Sequence, residues 1–348
     1  MTESISTNYL STSLALSIMK MQSGLATAQT ESATGQYADI GLQLGAQAGQ
    51  EISLQNENGL LQTYTTTNSV VATRLSTTQS ALTSLQTDAQ SALNALAEWT
   101  PLTYSGTSLQ NLGANNLQSL TATANTSVDG QYVFGGINSG VAPMTNYFAA
   151  PNNAQTAIRA AFSSYLAGLS PAATPQTVTA GQMQTFLASP AFTSQFQGAA
   201  WTSNWSSASS ANISSNISPS ETVDTSTNLN QPGFQDLTQA YTMMNEFTGT
   251  SINAAAMQSV VTAASGLVSN AMNSLTSTAA TLGAVQQRVT DSNTNMSAQM
   301  TILQTQVNDL DSVNAYQTAT RVSALTTQIQ TAYSLTAALQ KLSLVNYL

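Results

Sequence analysis

The sequence predicts a mainly α fold, in which long antiparallel helices from both chain ends form a rod-like bundle with a central inserted α+β domain. Both ends carry apolar residues at helical spacing, and two long periodic stretches lie just inside them. Most of the prolines and all of the tryptophans lie nearer the middle of the chain. Because the two ends match in type and length, the chain is expected to run out along the bundle and to return.

Each terminal helix carries one narrow apolar stripe. Its residues recur at alternating steps of three and four, which is the spacing of a helical seam. A helix does not bury such a stripe by itself, so the two stripes are expected to bury each other or a neighbouring subunit. The candidate assembly residues are Leu14, Ile18, Met21 and Leu25 near the N-terminus, and Val322, Leu325, Ile329, Leu339 and Leu342 near the C-terminus.

Two long helices are predicted between the terminal ones. One covers residues 58–99, and its apolar positions keep to helical spacing. The other begins near Ile252 and continues to Leu310, and Gly266 and Gly283 weaken this helix without breaking it.

Two interruptions separate these helices from the terminal ones. Between residues 35 and 53, repeated glycines indicate a connector. Near the other end, Asp309, Asp311 and Asn314 compete for backbone hydrogen bonds and mark the start of the C-terminal helix.

The central domain is expected to contain short elements. Helices are predicted over 154–169 and 179–188, the second with Thr179 as its N-cap and Gln182 three residues on. Residues 213–228 alternate in polarity and are rich in Thr and Val, which predicts a β-hairpin.

Composition excludes several classes of function. The 348 residues include 6 Lys and Arg against 15 Asp and Glu, a net charge of −9, which disfavours nucleic acid and anionic membranes. The sequence has no Cys and no His, so disulfides, thiolate nucleophiles and the commonest general base and metal ligand are absent. No uninterrupted apolar stretch of about 18 residues is present, so no membrane insertion is expected. We predict no catalytic residue, metal or cofactor, and no enzyme activity.

Two segments resemble the flagellin superfamily. Ser32–Gln36, which closes the first helix, is similar to the turn that follows the first helix in that family. Ala124–Gly136 is similar to the segment that precedes the variable domain of the family. The closing segment Leu339–Leu348 is more similar to the hook-filament junction branch than to filament flagellins. Gln36 and Gln131 depart from that branch, in which a basic residue is usual at both positions.

The resemblance implies a structural role in the bacterial flagellum, as a homo-oligomeric ring that joins hook to filament. The implied partners are a hook-side junction protein, flagellin, and an export chaperone on the C-terminal helix, with no nucleic acid. The first residues lack the basic and apolar regions of a secretory signal, so export to the cell exterior without a cleaved signal peptide is expected.

The resemblance also implies three domains. Residues 1–45 with 313–348 would form a terminal coiled-coil domain, and residues 46–140 with 236–312 a long-helix rod domain. Residues 141–235 would form a variable, outward-facing domain. Terminal stripes that are unpaired in the monomer are expected to become ordered only when neighbouring subunits cover them.

Three other functions stay open from the sequence. A filament flagellin would share nearly all of these features and would form long homopolymers. An extracellular carbohydrate-binding or adhesion protein would use Trp99, Trp201 and Trp205 as stacking platforms. An enzyme would need carboxylates alone for acid-base chemistry, with Glu221 as the residue to test.

Overall fold

The computed structural model describes residues 2–100 and 105–345, and the side chains of residues 9–100 and 105–340. The predicted mainly α class is confirmed, with long helices at both ends and small antiparallel sheets in the central part. The helices are α1 (Thr2–Thr34), α2 (Ile40–Leu44), α3 (Ala48–Glu98), α4 (Gly106–Ala124), α5 (Asn153–Gly168), α6 (Ala180–Ala188), α7 (Pro190–Thr193), α8 (Gly198–Asn204), α9 (Pro232–Glu246), α10 (Ala254–Asp311) and α11 (Ala315–Val345). The strands are β1 (Ser127–Val128), β2 (Gln131–Tyr132), β3 (Ser214–Ser218) and β4 (Glu221–Asp224).

Helix α3 extends further than its sequence pattern predicts, whereas α10 covers nearly the predicted range. Helix α3 begins at Ala48 rather than near Asn58, and both Gly49 and Gly59 lie inside it. A glycine in a helix costs about 1 kcal/mol relative to alanine, which a helix of this length absorbs through its other contacts. Helix α10 likewise continues through its glycines.

The predicted interruption before the C-terminal helix is present and has a local cause. Helix α10 ends at Asp311, and α11 begins at Ala315. The side chain of Asn314 accepts a hydrogen bond from the backbone N–H of Gln317 at 3.1 Å. Asn314 therefore caps the start of α11 and satisfies one of its free N–H groups.

The short central elements follow their sequence signals. Thr179 Oγ1 accepts a hydrogen bond from the Gln182 N–H at 3.3 Å, and the Thr179 N–H donates to Gln182 Oε1 at 2.9 Å. This reciprocal pair is a capping box, and it starts α6 where the sequence predicts. Strands β3 and β4 form an antiparallel hairpin within the predicted segment 213–228.

Helices α4 and α9 were not predicted from the sequence, and tertiary packing explains them. The two helices pack against each other, and Gly113 lies at the closest approach. A Cβ atom on Gly113 would lie 2.6 Å from Met244 Cβ, so a larger residue would force the helices apart. Pro232 occupies the first turn of α9, where its missing N–H costs no hydrogen bond.

The chain divides into two compact units, one formed by residues up to 62 and from 296 on, the other by residues 63–295. The second unit contains a large aromatic core, in which Phe162, Phe186 and Phe247 have ring centroids 4.9–5.5 Å apart. The three-domain division inferred from the resemblance stays a prediction.

The described residues contain neither a membrane-spanning helix nor a cluster of metal ligands. Within residues 2–100 and 105–345, no helix has the length and apolar character needed to cross a membrane. The same part of the chain contains no group of three or more acidic side chains placed to hold a metal ion.

Candidate assembly surfaces of the terminal helices

A short backbone pairing fixes the register of the two terminal helices. The Tyr37 N–H donates to Asp311 O, and the Val313 N–H donates to Gly35 O, each at 2.9 Å. Gln36 and Ser312 form an antiparallel bridge between these hydrogen bonds. Gly35 has a φ of 73°, a left-handed conformation that glycine adopts without strain. The end of α1 is therefore tied to the start of α11.

From this joint, α1 and α11 run antiparallel and pack along their length. Glu31 Oε2 lies 3.6 Å from Arg321 Nη1 near the joint. Further along, the Gln22 side-chain N–H donates to Tyr333 Oη at 2.6 Å. Since residue numbers rise on one helix as they fall on the other, these contacts show the antiparallel pairing expected from the sequence.

The predicted stripe residues occupy the seam between α1 and α11. Ile18 and Ile329 are buried, each 8% exposed. Most positions between the stripe residues on the two helices are exposed. The other stripe residues with described side chains are partly buried, and these are Leu14, Met21, Leu25, Val322, Leu325 and Leu339. Leu342 lies outside the residues whose side chains are described. The two stripes therefore bury each other within one chain, and their part in contacts between subunits stays a prediction.

A second apolar stripe, which the sequence analysis missed, faces away from the seam. Leu16 is 59% exposed and Met19 is 56% exposed, although both lie on α1 among seam residues. Successive residues of an α-helix are turned by about 100°, so Leu16 lies nearly opposite Ile18. We call Leu16 and Met19 the outer stripe of α1. The spacing of Leu16 and Met19 in the sequence already places them together on one face of a helix, apart from the seam residues.

Helix α11 also carries an exposed apolar face. Leu335 is half exposed and lines a shallow groove along this helix, together with Ala324, Ala332 and the methyl groups of several threonines. Tyr316, near the start of α11, is 83% exposed. Both helices of the pair therefore present apolar side chains that no other described residue covers.

The other candidate functional residues are occupied by structural contacts. Trp99, Trp201 and Trp205 are all buried, so they offer no open ring face on which a sugar ring stacks. Glu221, the residue named for acid-base chemistry, pairs with Arg288 at 2.7 Å. Asp224 accepts a hydrogen bond from the Ser214 hydroxyl within the β3–β4 hairpin.

The strongest charged contact in the second unit is structural as well. The Glu246 carboxylate, almost fully buried, accepts hydrogen bonds from Arg159 Nε at 2.7 Å and from Tyr147 Oη at 3.0 Å. Burial raises the pKa of the Tyr147 hydroxyl, and the nearby Glu246 charge raises it further. The hydrogen bond to Glu246 raises the pKa of Arg159. These three groups hold α5 and the preceding loop on the end of α9.

Two family models match the helical ends of the chain. The model of the bacterial flagellin N-terminal helical region matches residues 5–139, and that of the C-terminal helical region matches residues 266–348. Together they cover most of the sequence. This chain belongs to the flagellin superfamily.

Several solved structures match this flagellin-family chain in fold. One of them is described as "putative flagellar hook-associated protein from Vibrio parahaemolyticus", and the match has a TM-score of 0.50 at 10% sequence identity. The match covers 75% of this chain and 95% of the other. No curated protein matches this chain. At this identity the likeness concerns the fold alone.

Membership of the superfamily defines the class of function. Flagellins are structural proteins that assemble into oligomeric parts of the bacterial flagellum outside the cell, and they are not enzymes. The chain is therefore a structural protein of the flagellum. The exposed apolar faces of α1 and α11 are candidate surfaces for such assembly.

Proposed function

We propose that this protein joins the flagellar hook to the filament, as a hook-associated junction protein that forms a ring of identical subunits. Its C-terminal segment Leu339–Leu348 resembles the junction branch of the superfamily. A solved structure with the same fold is described as a putative flagellar hook-associated protein, and the match spans nearly all of that chain.

The observation that carries the assembly role is the outer stripe of α1. A side chain such as Leu16 or Met19 gains roughly 1.5–3 kcal/mol when it is fully buried. The pairing of α1 with α11 leaves both of them exposed. A neighbouring subunit that covers this stripe and the exposed face of α11 supplies that burial, so the terminal helices gain their full stability only in the assembly.

The remaining partners follow from this position in the flagellum. A subunit at the junction contacts a hook-side junction protein on one side and flagellin on the other. The protein is exported through the flagellar apparatus. Until export, a chaperone covers the C-terminal helix, whose exposed apolar face is otherwise open to aggregation. The chain has no cysteine, so no disulfide obstructs passage through the export channel.

Deletion of the gene tests the junction role. The expected result is cells that carry bare hooks in electron micrographs and release flagellin into the medium. Complementation with the intact gene restores filaments and serves as the control. Filaments that persist or are merely shortened contradict the junction role.

Filament flagellin is the second candidate, because the matching family models are those of flagellin helical regions. Purified protein that forms long homopolymers by itself favours this candidate. Antibody labelling along the whole filament, rather than at its base, favours it independently. A junction protein is instead labelled at one band next to the hook.

A further inference from the structure

Arg74, on helix α3, differs from the other described arginines. The others each have one carboxylate partner: the shortest nitrogen–oxygen distance is 2.7 Å for Arg159, 2.7 Å for Arg288 and 3.6 Å for Arg321. Within residues 9–100 and 105–340, Arg74 has no such partner. In that part of the chain, Arg74 is therefore a cation without a counter-charge.

The Arg74 guanidinium is held in place by uncharged acceptors. Nη1 donates to Gln131 Oε1 at 3.0 Å, and Nη2 donates to the Tyr132 carbonyl oxygen at 3.1 Å. The Nε–H is buried and has no acceptor among the described residues. Burial lowers the pKa of Arg74, because lost hydration disfavours the charged form. The side chain has lost part of its hydration without gaining an opposite charge, which is an unfavourable arrangement in an isolated subunit.

Exposed apolar side chains lie on the same helix as this cation and on the loop that follows β2. Val70, one turn before Arg74 on α3, is 58% exposed. The Tyr132 N–H donates to Ser139 O at 2.8 Å, which brings the loop that follows β2 beside the hairpin. Two residues on either side of Ser139, Ile137 is 62% exposed and Val141 is 50% exposed.

We call Val70, Arg74, Gln131, Ile137 and Val141 the Arg74 surface. It combines one fixed guanidinium with exposed aliphatic side chains. This is the composition of an interface centre, where arginine is enriched and most other charged residues are depleted. The tip of the β1–β2 hairpin is a two-residue turn, in which Asp129 and Gly130 both have the positive φ that such a turn requires.

Charge identifies the partner. The chain has 15 acidic residues against 6 basic ones, so every copy offers carboxylates in excess of its own cations. We propose that the Arg74 surface binds an exposed carboxylate of a second copy of this chain, an inference that rests on the proposed assembly of the protein in the flagellum. The incoming carboxylate supplies the missing counter-charge, and its neighbours cover Val70, Ile137 and Val141.

A crosslinking experiment on assembled protein tests this contact. Arg74→Lys keeps the positive charge and introduces a primary amine, which a water-soluble carbodiimide joins to a carboxylate in direct contact with it. Flagella are isolated from cells that carry equal amounts of 15N-labelled and unlabelled chains, treated with the carbodiimide, and digested for mass spectrometry. Mixed-isotope peptides identify bonds between two copies.

The matched control is Arg288→Lys. Arg288 pairs with Glu221 of its own chain, so its substitute is expected to give a bond within one chain and no mixed-isotope product. Native Lys20 and Lys341 define the background in the unsubstituted chain. The proposal predicts a mixed-isotope peptide that joins position 74 to an Asp or Glu, at a yield several-fold above both controls.

Three outcomes overturn the inference. The first is a bond from position 74 to an acid of the same chain alone, and the second is a bond to flagellin or to a hook protein. Absence of any bond at position 74, in chains whose Arg288→Lys control reacts, overturns it as well. Antibody labelling of the same flagella reports separately whether the protein lies at the junction, so failure of the proposed function is distinguished from failure of this contact.

Discussion

The centre of the molecule and its terminal helices use large apolar side chains in opposite ways. In the second unit, Trp201, Trp205 and Phe247 are fully buried and pack against other rings. In the terminal pair, Leu16 and Met19 are mostly exposed although they lie on a helix with a buried seam. Folding must offset the loss of conformational entropy of every ordered residue. The centre achieves this within one chain, whereas the terminal pair leaves part of its apolar surface for neighbouring subunits.

The largest effect is expected when the exposed apolar residues of the terminal helix α1 are replaced. The double substitution of Leu16→Gln and Met19→Gln removes the outer stripe but leaves the seam residue Ile18 in place. We expect loss of assembled protein from flagella and loss of motility, with a melting temperature of the monomer close to that of the parent chain. Western blotting of sheared flagella and thermal unfolding followed by circular dichroism measure the two quantities.

Ser17→Gln is the control, since Ser17 is exposed on the same helix and belongs to neither apolar face. This variant is expected to assemble normally. Normal assembly of the double variant contradicts the role of the outer stripe.

The next largest effect is expected on the stability of the second unit, when its aromatic core is disrupted. Phe247 has ring centroids within 5.5 Å of Phe162, Phe186 and Phe192, so Phe247→Ala leaves a cavity in the core. We expect a loss of about 3–5 kcal/mol in the free energy of unfolding. Urea titration followed by tryptophan fluorescence measures it, because Trp201 and Trp205 lie in the same unit.

Ile329→Ala sharpens this result, because Ile329 is buried in the terminal seam. In the monomer its effect on the same tryptophan signal is expected to be below about 1 kcal/mol, since local opening of the ends leaves the centre folded. Equal losses in the two variants would mean that the ends and the centre unfold as one cooperative unit.

A smaller effect is expected at the buried carboxylate. Glu246→Gln removes the charge that Arg159 and Tyr147 contact, and hydrogen bonds to charged groups contribute about 1.5–3 kcal/mol each. We expect a loss of stability in that range. Glu221→Gln is the matched control, because the exposed Glu221–Arg288 pair contributes about 0–1 kcal/mol. A larger loss of stability in Glu221→Gln than in Glu246→Gln contradicts the structural role assigned to the buried Glu246 contacts.

The smallest effect appears at high pH. Burial raises the pKa of Tyr147 and of Tyr241, and the charge of Asp88 adds to the shift at Tyr241. An unfolded tyrosine titrates near pH 10, so the stability from these two groups is present below about pH 10 and declines as the pH rises above it. Absorbance at alkaline pH is expected to show late tyrosine ionisation that coincides with unfolding. In the Tyr147→Phe variant, the part of the absorbance change that accompanies unfolding is expected to be smaller.

Local signals in the sequence were sufficient for some elements. The Thr179–Gln182 capping box and the break after Asp311 depend on neighbours within a few residues, and both were predicted. Helix α4 was missed because its glycines argue against a helix, although Gly113 is required where α4 meets α9. That requirement comes from residues more than a hundred positions away in the chain, which no local pattern contains.

The candidate assembly residues likewise include some that a local sequence pattern predicts and some that depend on the folded structure. The seam residues were predicted because one face of a helix repeats in the sequence, and the structure places those with described side chains between α1 and α11. The outer stripe needs knowledge of which face the partner helix covers. The Arg74 surface depends on three chain segments that only the folded second unit brings together.

Hydrogen exchange measured by mass spectrometry tests the central claim most directly. The backbone amides of α1 and α11 are compared with those of α4 and α9, in purified monomer and in isolated flagella. The expected result is rapid exchange of α1 and α11 in the monomer, strong protection of both in flagella, and strong protection of α4 and α9 in both states. Equal protection of all four helices in the monomer would show that the terminal pair is complete without neighbours, which contradicts the account.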